Sequence, residues 1–309
     1  MTPPCTAQDA PPGSRPRVLS IAGTDPTGGA GIHADLKSFS AHGAYGMAVV
    51  TAVVAQNTRG VRSVHVPPPD VLAAQLDTVS DDVALDAVKI GMVGSAENGD
   101  VVRAWLDRVD APLVVLDPVM VSTSGHSLLQ PDAGPSLEAL VHRVHLVTPN
   151  LPELAALVGR PEARDLDEAV AQGEELQGRS GTDVLVTGGH LDGASCTDVL
   201  VTAAGTSVVP GPRVATTSTH GTGCSLSAAL AALRPRCGSW GAALAVARPW
   251  LRGALEAADA LRVGQGRGPV DHLHACVPSS TLTGWPVRRD ARVAEGGRPG
   301  AVLAEAVQE

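Results

Sequence analysis

The segment STHGTGCSLSAALAAL (218–233) joins a glycine-rich turn directly to an alanine- and leucine-rich helix. Such a turn directs several backbone N–H groups, together with the positive end of the helix, at one point. A transferring phosphoryl group needs this arrangement, so Gly221, Thr222 and Gly223 are candidate catalytic residues. Cys224 follows at the helix start, where we expect a lowered thiol pKa and a thiolate able to accept a proton from an attacking hydroxyl. The motif alone also fits an ordinary glycine turn beside a buried cysteine.

Polar residues and glycines follow three apolar runs earlier in the chain. The first run opens into AGTDPTGGAG (22–31), whose glycines permit close approach of a ligand, and Asp35 lies one turn into the next helix. Gln56 follows the second run and can hydrogen-bond the edge of a flat polar ring, while Met92 follows the third as an apolar wall. Taken singly, these features also fit a tight turn, a solvated turn and a core methionine.

Acidic residues follow two further apolar runs. Asp117 lies in LDPVM, and TPNLPE contributes Asn150 and Glu153. The spacing of Asn150 and Glu153 predicts a helix capping box, which explains that pair without any ligand. Acids at two adjacent strand ends nevertheless favour a Mg²⁺ site at Asp117 and Glu153, held through water as Mg²⁺ prefers.

The elements that position these residues alternate between two kinds of segment. Short β-branched runs predict buried parallel strands at 17–23, 47–54, 86–92, 113–120, 145–150 and 183–189. Amphipathic stretches predict crossover helices at 28–41, 70–80, 97–109, 132–142 and 166–179. The pattern predicts a doubly wound α/β sheet, with ligands at the carboxyl ends of its strands and an antiparallel hairpin at 197–211.

Composition narrows the class of protein. The 309 residues are 44% hydrophobic without a run that predicts a transmembrane helix, and the net charge of −9 argues against nucleic-acid binding. The proline-rich segment 1–16 predicts a disordered leader rather than a secretory signal, so we expect a cytoplasmic location. Residues 17–275 predict one domain, and 276–309 a loosely ordered tail.

Taken in series, AGTDPTGGAG, TAVVAQNTRG, KIGM, LDPVM, TPNLPE, GGH and THGTGC resemble the hydroxymethylpyrimidine/phosphomethylpyrimidine kinases of thiamine biosynthesis. These enzymes belong to the ribokinase-like superfamily, and the resemblance covers about residues 17–275. It implies a three-layer α/β/α fold with a mostly parallel sheet. It also implies a homodimer that uses ATP and Mg²⁺ to phosphorylate 4-amino-5-hydroxymethyl-2-methylpyrimidine and then its monophosphate.

The resemblance assigns roles residue by residue. The pyrimidine pocket matches Gly23, Asp35, Val54, Gln56, Met92 and Val119, with Asp35 and Gln56 reading the polar edge of the ring. The anion hole matches Gly221, Thr222 and Gly223, and the proposed base matches Cys224. The metal and phosphate positions match Asp117, Glu153, Asn150, Thr187 and Gly188.

One departure concerns charge. Many members of the family have lysine before GGH, where this chain has Thr187, and neither Lys37 nor Lys89 lies at a matching position. We therefore expect either that an arginine supplies the charge or that the second phosphorylation is weakened.

Other readings remain open beside the pyrimidine kinase. The nearest is a pyridoxine or pyridoxal kinase, against which Gln56 and Met92 favour the pyrimidine. A dinucleotide-binding oxidoreductase lacks support because no GxGxxG follows a strand. A thiol enzyme would use Cys224 as nucleophile and His220 as base.

Overall fold

A central sheet organises this computed structural model, which describes residues 14–109, 111–120, 134–190 and 195–276, without the side chain of His190. Its nine strands are β1 (Arg17–Gly23), β2 (Tyr45–Asn57), β3 (Gly60–His65), β4 (Ala87–Ile90), β5 (Val114–Leu116), β6 (Leu146–Val147), β7 (Asp183–Val186), β8 (Asp198–Thr202) and β9 (Gly205–Val209). The helices among these residues are α1 (Gly31–Ala41), α2 (Pro69–Asp82), α3 (Ala96–Leu106), α4 (Gly134–Val141), α5 (Leu151–Val158), α6 (Leu166–Ser180), α7 (Thr222–Leu233) and α8 (Trp240–Ala257).

The strands lie in the order β3-β2-β1-β4-β5-β6-β7-β8-β9. Strands β2, β1, β4, β5, β6 and β7 are parallel, while β3 pairs antiparallel with β2 and the β8–β9 hairpin continues the sheet antiparallel from β7. Strands β2 and β3 are added on one side of β1, and the strands from β4 onward are added on its other side. This switch opens a crevice at the carboxyl ends of β1 and β4, where ligands bind in open α/β sheets.

Alternating side chains of the strands fill two separate cores. Leu19 and Ile21 of β1 pack with α2 to α6 on one face, whereas Val18 of the same strand packs with α1, α7 and α8 on the other. Successive side chains of β1 therefore point to opposite faces of the sheet, and both faces are buried. Helices therefore cover both faces of a mostly parallel sheet, and the predicted three-layer α/β/α fold is confirmed.

The predicted elements differ from the observed ones mainly at their ends. The bounds of β1 were predicted as 17–23 and are the same in the structure, and the predicted hairpin is β8 and β9. Several other strands end two to four residues earlier than predicted. The residues that directly follow them are polar residues, glycines and prolines, such as Asp117-Pro118 after β5 and Thr148-Pro149 after β6, which do not extend the ladder. Strand β3, which forms a hairpin with β2, was not predicted.

All described residues belong to one unit, which ends at Cys276. The predicted leader lies outside the described residues up to residue 13, as does the predicted tail from residue 277. The helices of the described ranges include none that is both long and apolar enough to cross a membrane.

Candidate active site

A cavity of about 1100 Å³ opens at the carboxyl ends of β1, β4 and β5. Its wall continues along the start of α7 and one side of α8 to the β8–β9 hairpin. Pockets for a single small ligand are usually smaller or at most of this size. The cavity therefore has room for an acceptor molecule and a nucleotide side by side.

One end of the cavity is a small apolar pocket. Val54 and Met92 form a buried cluster with Ala52, against which Val119 packs. Gly23 lines the same end, and a Cβ atom there would lie 3.3 Å from Sδ of Met92, so glycine keeps the space open. Gln56 lines this end as the polar residue of the group. The five predicted pocket residues Gly23, Val54, Gln56, Met92 and Val119 are thus brought together in a shape that suits a flat ring with one polar edge.

The start of α7 forms a second feature of the cavity. Gly221 precedes the helix in the left-handed region at φ 77°, and no described side chain caps the first turn. A Cβ atom at this position would collide with the carbonyl oxygen of Gly29, so only glycine fits here. Thr222, Gly223 and Cys224 line the cavity directly after it. Uncapped amides and the helix dipole make this turn an anion-binding site.

A buried aspartate joins this turn to the glycine-rich loop after β1. Asp25 accepts hydrogen bonds from the backbone N–H of Gly29 and Ala30 at 3.0 and 2.8 Å, and its Oδ2 lies 2.8 Å from Nε2 of His220. Burial alone would raise the pKa of Asp25, but hydrogen bonds from His220 and Thr27 lower it far below its ordinary value. The residue before Gly221 is thereby fixed to the loop, and sequence reasoning did not single out this pair.

A fully buried lysine lies beneath the anion-binding turn. Nζ of Lys89 lies 2.9 Å from Oδ1 of Asp35 and 3.8 Å from Oδ2 of Asp117, and Ser20 donates a 2.6 Å hydrogen bond to Asp35. Burial opposes the charge of Lys89, but attraction to Asp35 and Asp117 outweighs it and raises the lysine pKa above its ordinary value. Lys89 therefore stays positively charged and lines the cavity.

The position of Asp35 corrects one expectation. Its side chain is completely buried among Lys89 and Ser20 and does not line the cavity, because α1 directs it into the interior rather than toward a ligand. Burial raises the pKa of Asp35, and Lys89 partly offsets this effect. In this structure Asp35 is paired with Lys89 and lies outside the cavity wall.

The thiol of Cys224 also departs from expectation. Burial raises the pKa of Cys224 to about 12, because the lowering effect of Lys89 is smaller than that of burial and is opposed by the negative charges of Asp117 and Asp35. The expected lowering of this pKa is therefore wrong. At neutral pH Cys224 is a neutral thiol.

Asp117 and Glu153 line the cavity as a pair of buried acids. Burial and repulsion by Asp117 raise the pKa of Glu153 to about 8, and burial raises that of Asp117. The predicted capping box is also present: Glu153 accepts from the N–H of Asn150 at 3.0 Å and donates its own N–H to Oδ1 of Asn150 at 2.9 Å. Two crowded carboxylates fit a divalent cation such as Mg²⁺, whose charge relieves their repulsion. The described residues hold no cluster of three or more metal-binding side chains.

The far end of the cavity lies beside β7 and α8. Thr187 forms a bridge with Asn150 and donates its N–H to the carbonyl oxygen of Pro149 at 2.9 Å, so the two predicted phosphate-binding residues are neighbours in the wall. Gly188 is not among the residues that line the cavity, and its N–H donates to Oδ1 of Asp198, a residue of the cavity wall, at 3.0 Å. The predicted contact of Gly188 with phosphate is corrected accordingly, and the next residue, Gly189, lines the cavity instead.

Comparison with known proteins places the chain in a family. The family model described as phosphomethylpyrimidine kinase matches residues 25–271. A hydroxymethylpyrimidine/phosphomethylpyrimidine kinase of Salmonella typhimurium is 53% identical over 262 residues, covering 84% of this chain and 98% of the relative. The thiamine biosynthesis multifunctional protein ThiED of Corynebacterium efficiens is 49% identical over 287 residues, which are 92% of this chain but only 39% of that protein.

Two solved structures agree with this result. A phosphomethylpyrimidine kinase of Clostridium difficile has a TM-score of 0.69 at 36% identity, covering 78% of this chain and 99% of that one. An ADP complex of Bacillus subtilis pyridoxal kinase has a TM-score of 0.79 at 30% identity, covering 86% of this chain and all of that one. The fold is ribokinase-like, as predicted, and the chain is a kinase. It belongs to the phosphomethylpyrimidine kinase family.

Proposed function

We propose that this chain transfers the terminal phosphoryl group of ATP first to the hydroxymethyl group of 4-amino-5-hydroxymethyl-2-methylpyrimidine and then to the resulting monophosphate. The observation that carries the proposal is one cavity that holds both the apolar ring pocket and the uncapped start of α7. Relatives named for both phosphorylations support the same substrates: about half of their aligned residues are identical to those of this chain, and the match covers 98% of their length.

The ring pocket would bind the pyrimidine. Val54, Met92 and Val119 supply apolar walls, and Gln56 supplies an amide that both donates and accepts hydrogen bonds. An aminopyrimidine edge offers an amino donor beside a ring-nitrogen acceptor, so one amide can satisfy both. Gly23 leaves the room that the ring needs.

Phosphoryl transfer would take place in front of the turn at Gly221. The transition state is loose and spreads negative charge over three oxygens, so preorganised N–H donors stabilise it more than a strong base does. The N–H groups of Gly223 and Cys224 would provide that stabilisation, while the N–H of Thr222 donates to the carbonyl oxygen of Thr219 at 3.4 Å. Lys89 adds a fixed positive charge beneath them. The hydroxyl proton would leave late, after the bond to phosphorus has begun to form, and would pass to an oxygen of the transferred phosphoryl group. The neutral Cys224 thiol, which lies next to this turn, already carries its own proton and would not act as the base.

ATP would bind in the far end of the cavity, beside Asn150, Thr187 and α8. The ADP complex of the similar pyridoxal kinase supports nucleotide binding by this fold. Asp117 and Glu153 would hold Mg²⁺ through water, and the bound ion would neutralise phosphate charge. The resemblance also carries the expectation of a cytoplasmic homodimer, which gel filtration with light scattering tests.

A pyridoxal kinase is the second candidate, favoured by the TM-score of 0.79 with that enzyme from Bacillus subtilis. Sequence identity decides against it, at 30% for that protein and 53% for the pyrimidine kinase of Salmonella typhimurium.

Steady-state release of ADP with each acceptor separates the two candidates. With saturating ATP and Mg²⁺, we expect kcat/KM for hydroxymethylpyrimidine to exceed that for pyridoxal at least tenfold, about the discrimination that one well-placed hydrogen bond gives. A ratio below one would identify the chain as a pyridoxal kinase instead.

A further inference from the structure

We infer that Arg267 binds the phosphate group of the monophosphate acceptor and so makes the second phosphorylation possible. This inference rests on the proposed function. It identifies, for a chain with Thr187 where a lysine was expected, the side chain that supplies positive charge to the acceptor.

Both chain neighbours of Arg267 are held in place by hydrogen bonds. Gly266 is held on the side of the ring pocket, and Gly268 on the side of the anion-binding turn. On the acceptor side, the N–H of Gly266 donates to Oγ1 of Thr58 at 3.1 Å, in the turn of the β2–β3 hairpin that begins just after Gln56. A Cβ atom at residue 266 would collide with the backbone of Thr58, so this contact is a close one that requires glycine.

The other neighbour of Arg267 is attached to the transfer site. The carbonyl oxygen of Gly268 accepts the N–H of His220 at 3.0 Å, and Pro269 forms a parallel bridge with His220. His220 immediately precedes Gly221 of the anion-binding turn. Arg267 is therefore held between the hairpin that contributes Gln56 and the turn that faces the transferred group, and its side chain lines the cavity.

That position is where the phosphate of the acceptor must lie. In the second phosphorylation the acceptor oxygen belongs to a phosphate on the hydroxymethyl carbon, which extends from the ring toward the anion-binding turn. Such a phosphate carries between one and two negative charges at neutral pH and must approach the phosphates of ATP. A guanidinium between ring and turn can bind two of its oxygens at once and offset the repulsion.

The other cationic side chains of the described cavity wall lie in positions that fit this task less well. They are Lys89, Arg213, Arg248 and Arg252. Lys89 is completely buried against Asp35, and Arg248 and Arg252 lie on α8 at the nucleotide end of the cavity. Arg213 donates to the carbonyl oxygen of Gly189 at 2.9 Å, in the nucleotide half of the cavity.

The second phosphorylation tests the inference separately from the first. In Arg267→Gln, which keeps polarity but removes the charge, we expect kcat/KM for the monophosphate to fall about 100-fold, the range of a charge-assisted pair of hydrogen bonds. Phosphorylation of the uncharged hydroxymethylpyrimidine should stay within threefold of the parent chain. Arg267→Lys should recover about tenfold for the monophosphate, because charge returns without the fork geometry.

Arg262→Gln is the matched control, because Arg262 is exposed on the same loop and does not line the cavity. It should leave both reactions unchanged. Calorimetric binding of the monophosphate without ATP or Mg²⁺ gives a second readout, and we expect about 100-fold weaker binding in Arg267→Gln only. Circular dichroism checks the fold; if Arg267→Gln does not fold, Arg267→Lys decides by its selectivity between the two acceptors.

Three results would overturn the inference. Equal losses in both reactions with a raised KM for ATP would make Arg267 a nucleotide contact. Unchanged turnover of the monophosphate in Arg267→Gln would remove any role in the reaction. A parent chain that phosphorylates the hydroxymethylpyrimidine but not its monophosphate would also contradict it, whereas a parent chain inactive on both acceptors would refute the proposed function itself.

Discussion

Replacing Lys89 with methionine removes the positive charge beside two buried carboxylates while nearly conserving side-chain volume. Lys89 and Asp35 are both completely inaccessible to solvent, and Nζ lies 2.9 Å from Oδ1 of Asp35 and 3.8 Å from Oδ2 of Asp117. The variant leaves Asp35 with Ser20 as the hydrogen-bond donor described beside it.

The expected loss follows from the burial of the pair. Removing one partner of a buried ion pair leaves an uncompensated charge and lowers the free energy of unfolding by about 3–5 kcal/mol. Typical domains have about 5–15 kcal/mol in total, so Lys89→Met should remain folded at 25 °C but with a large part of its stability lost. Removing both charges is far less harmful, so Asp35→Asn/Lys89→Met should recover at least about 2 kcal/mol of the loss.

The loss should also depend on pH in a defined direction. Burial raises the pKa of Asp35, and Lys89 partly offsets that rise in the parent chain. Without Lys89 the folded-state pKa of Asp35 rises further above its unfolded value, so the folded variant binds a proton that the unfolded chain does not. Such a group stabilises at low pH and loses that contribution as pH rises. Lys89→Met should therefore be closer to the parent at pH 5.5 than at pH 8.

Urea unfolding followed by circular dichroism at both pH values measures these free energies. The reasoning is refuted if Lys89→Met lies within about 1 kcal/mol of the parent at pH 8. It is equally refuted if the difference does not shrink at pH 5.5, or if the double variant is no more stable than Lys89→Met.

Three further predictions concern the reaction itself. The thiol of Cys224 is neutral, with a pKa of about 12. Cys224→Ser should therefore keep the shape of the kcat–pH profile between pH 6.5 and 9 and lose about tenfold in kcat. A loss above 1000-fold would instead require a thiolate base. Gly221→Ala should lower kcat at least 100-fold with a folded chain by circular dichroism, since the new methyl meets the carbonyl of Gly29 and displaces the N–H donors; turnover within threefold of the parent would exclude the anion hole. Glu153→Gln retains the capping box but should raise the Mg²⁺ concentration for half-maximal turnover about tenfold. The parent requirement should fall as pH rises through about 8, where Glu153 deprotonates, and that of the variant should not; parallel profiles would exclude Glu153 from the metal site.

The fold was largely predictable because buried parallel strands carry a clear pattern. The apolar run at 17–23 ends where the glycine-rich loop begins, and its predicted bounds equal those of β1. Strand β3 escaped prediction because GVRSVH is mostly exposed and lacks an apolar face. The capping box at Asn150 and Glu153 marked a helix start that the structure contains as α5.

The site was predictable as a set of strand ends but not as a network. Nothing local in the sequence shows that α1 directs Asp35 inward, so its partners depend on how the helix packs on the sheet. Lys89 did carry a signal, since a lysine within the apolar run DAVKIGM has to be buried and therefore paired. The pairing of Asp25 with His220 joins residues 195 positions apart, which spacing alone does not reveal.

Mass spectrometry of the reaction products tests most directly whether this chain phosphorylates the hydroxymethylpyrimidine and then its monophosphate. The full chain would be incubated with ATP and Mg²⁺ and with hydroxymethylpyrimidine, its monophosphate or pyridoxal in parallel. We expect the monophosphate to appear first from the hydroxymethylpyrimidine and the diphosphate to follow, and we expect the supplied monophosphate also to yield the diphosphate. No phosphorylated pyrimidine, or phosphorylation of pyridoxal alone, would contradict it.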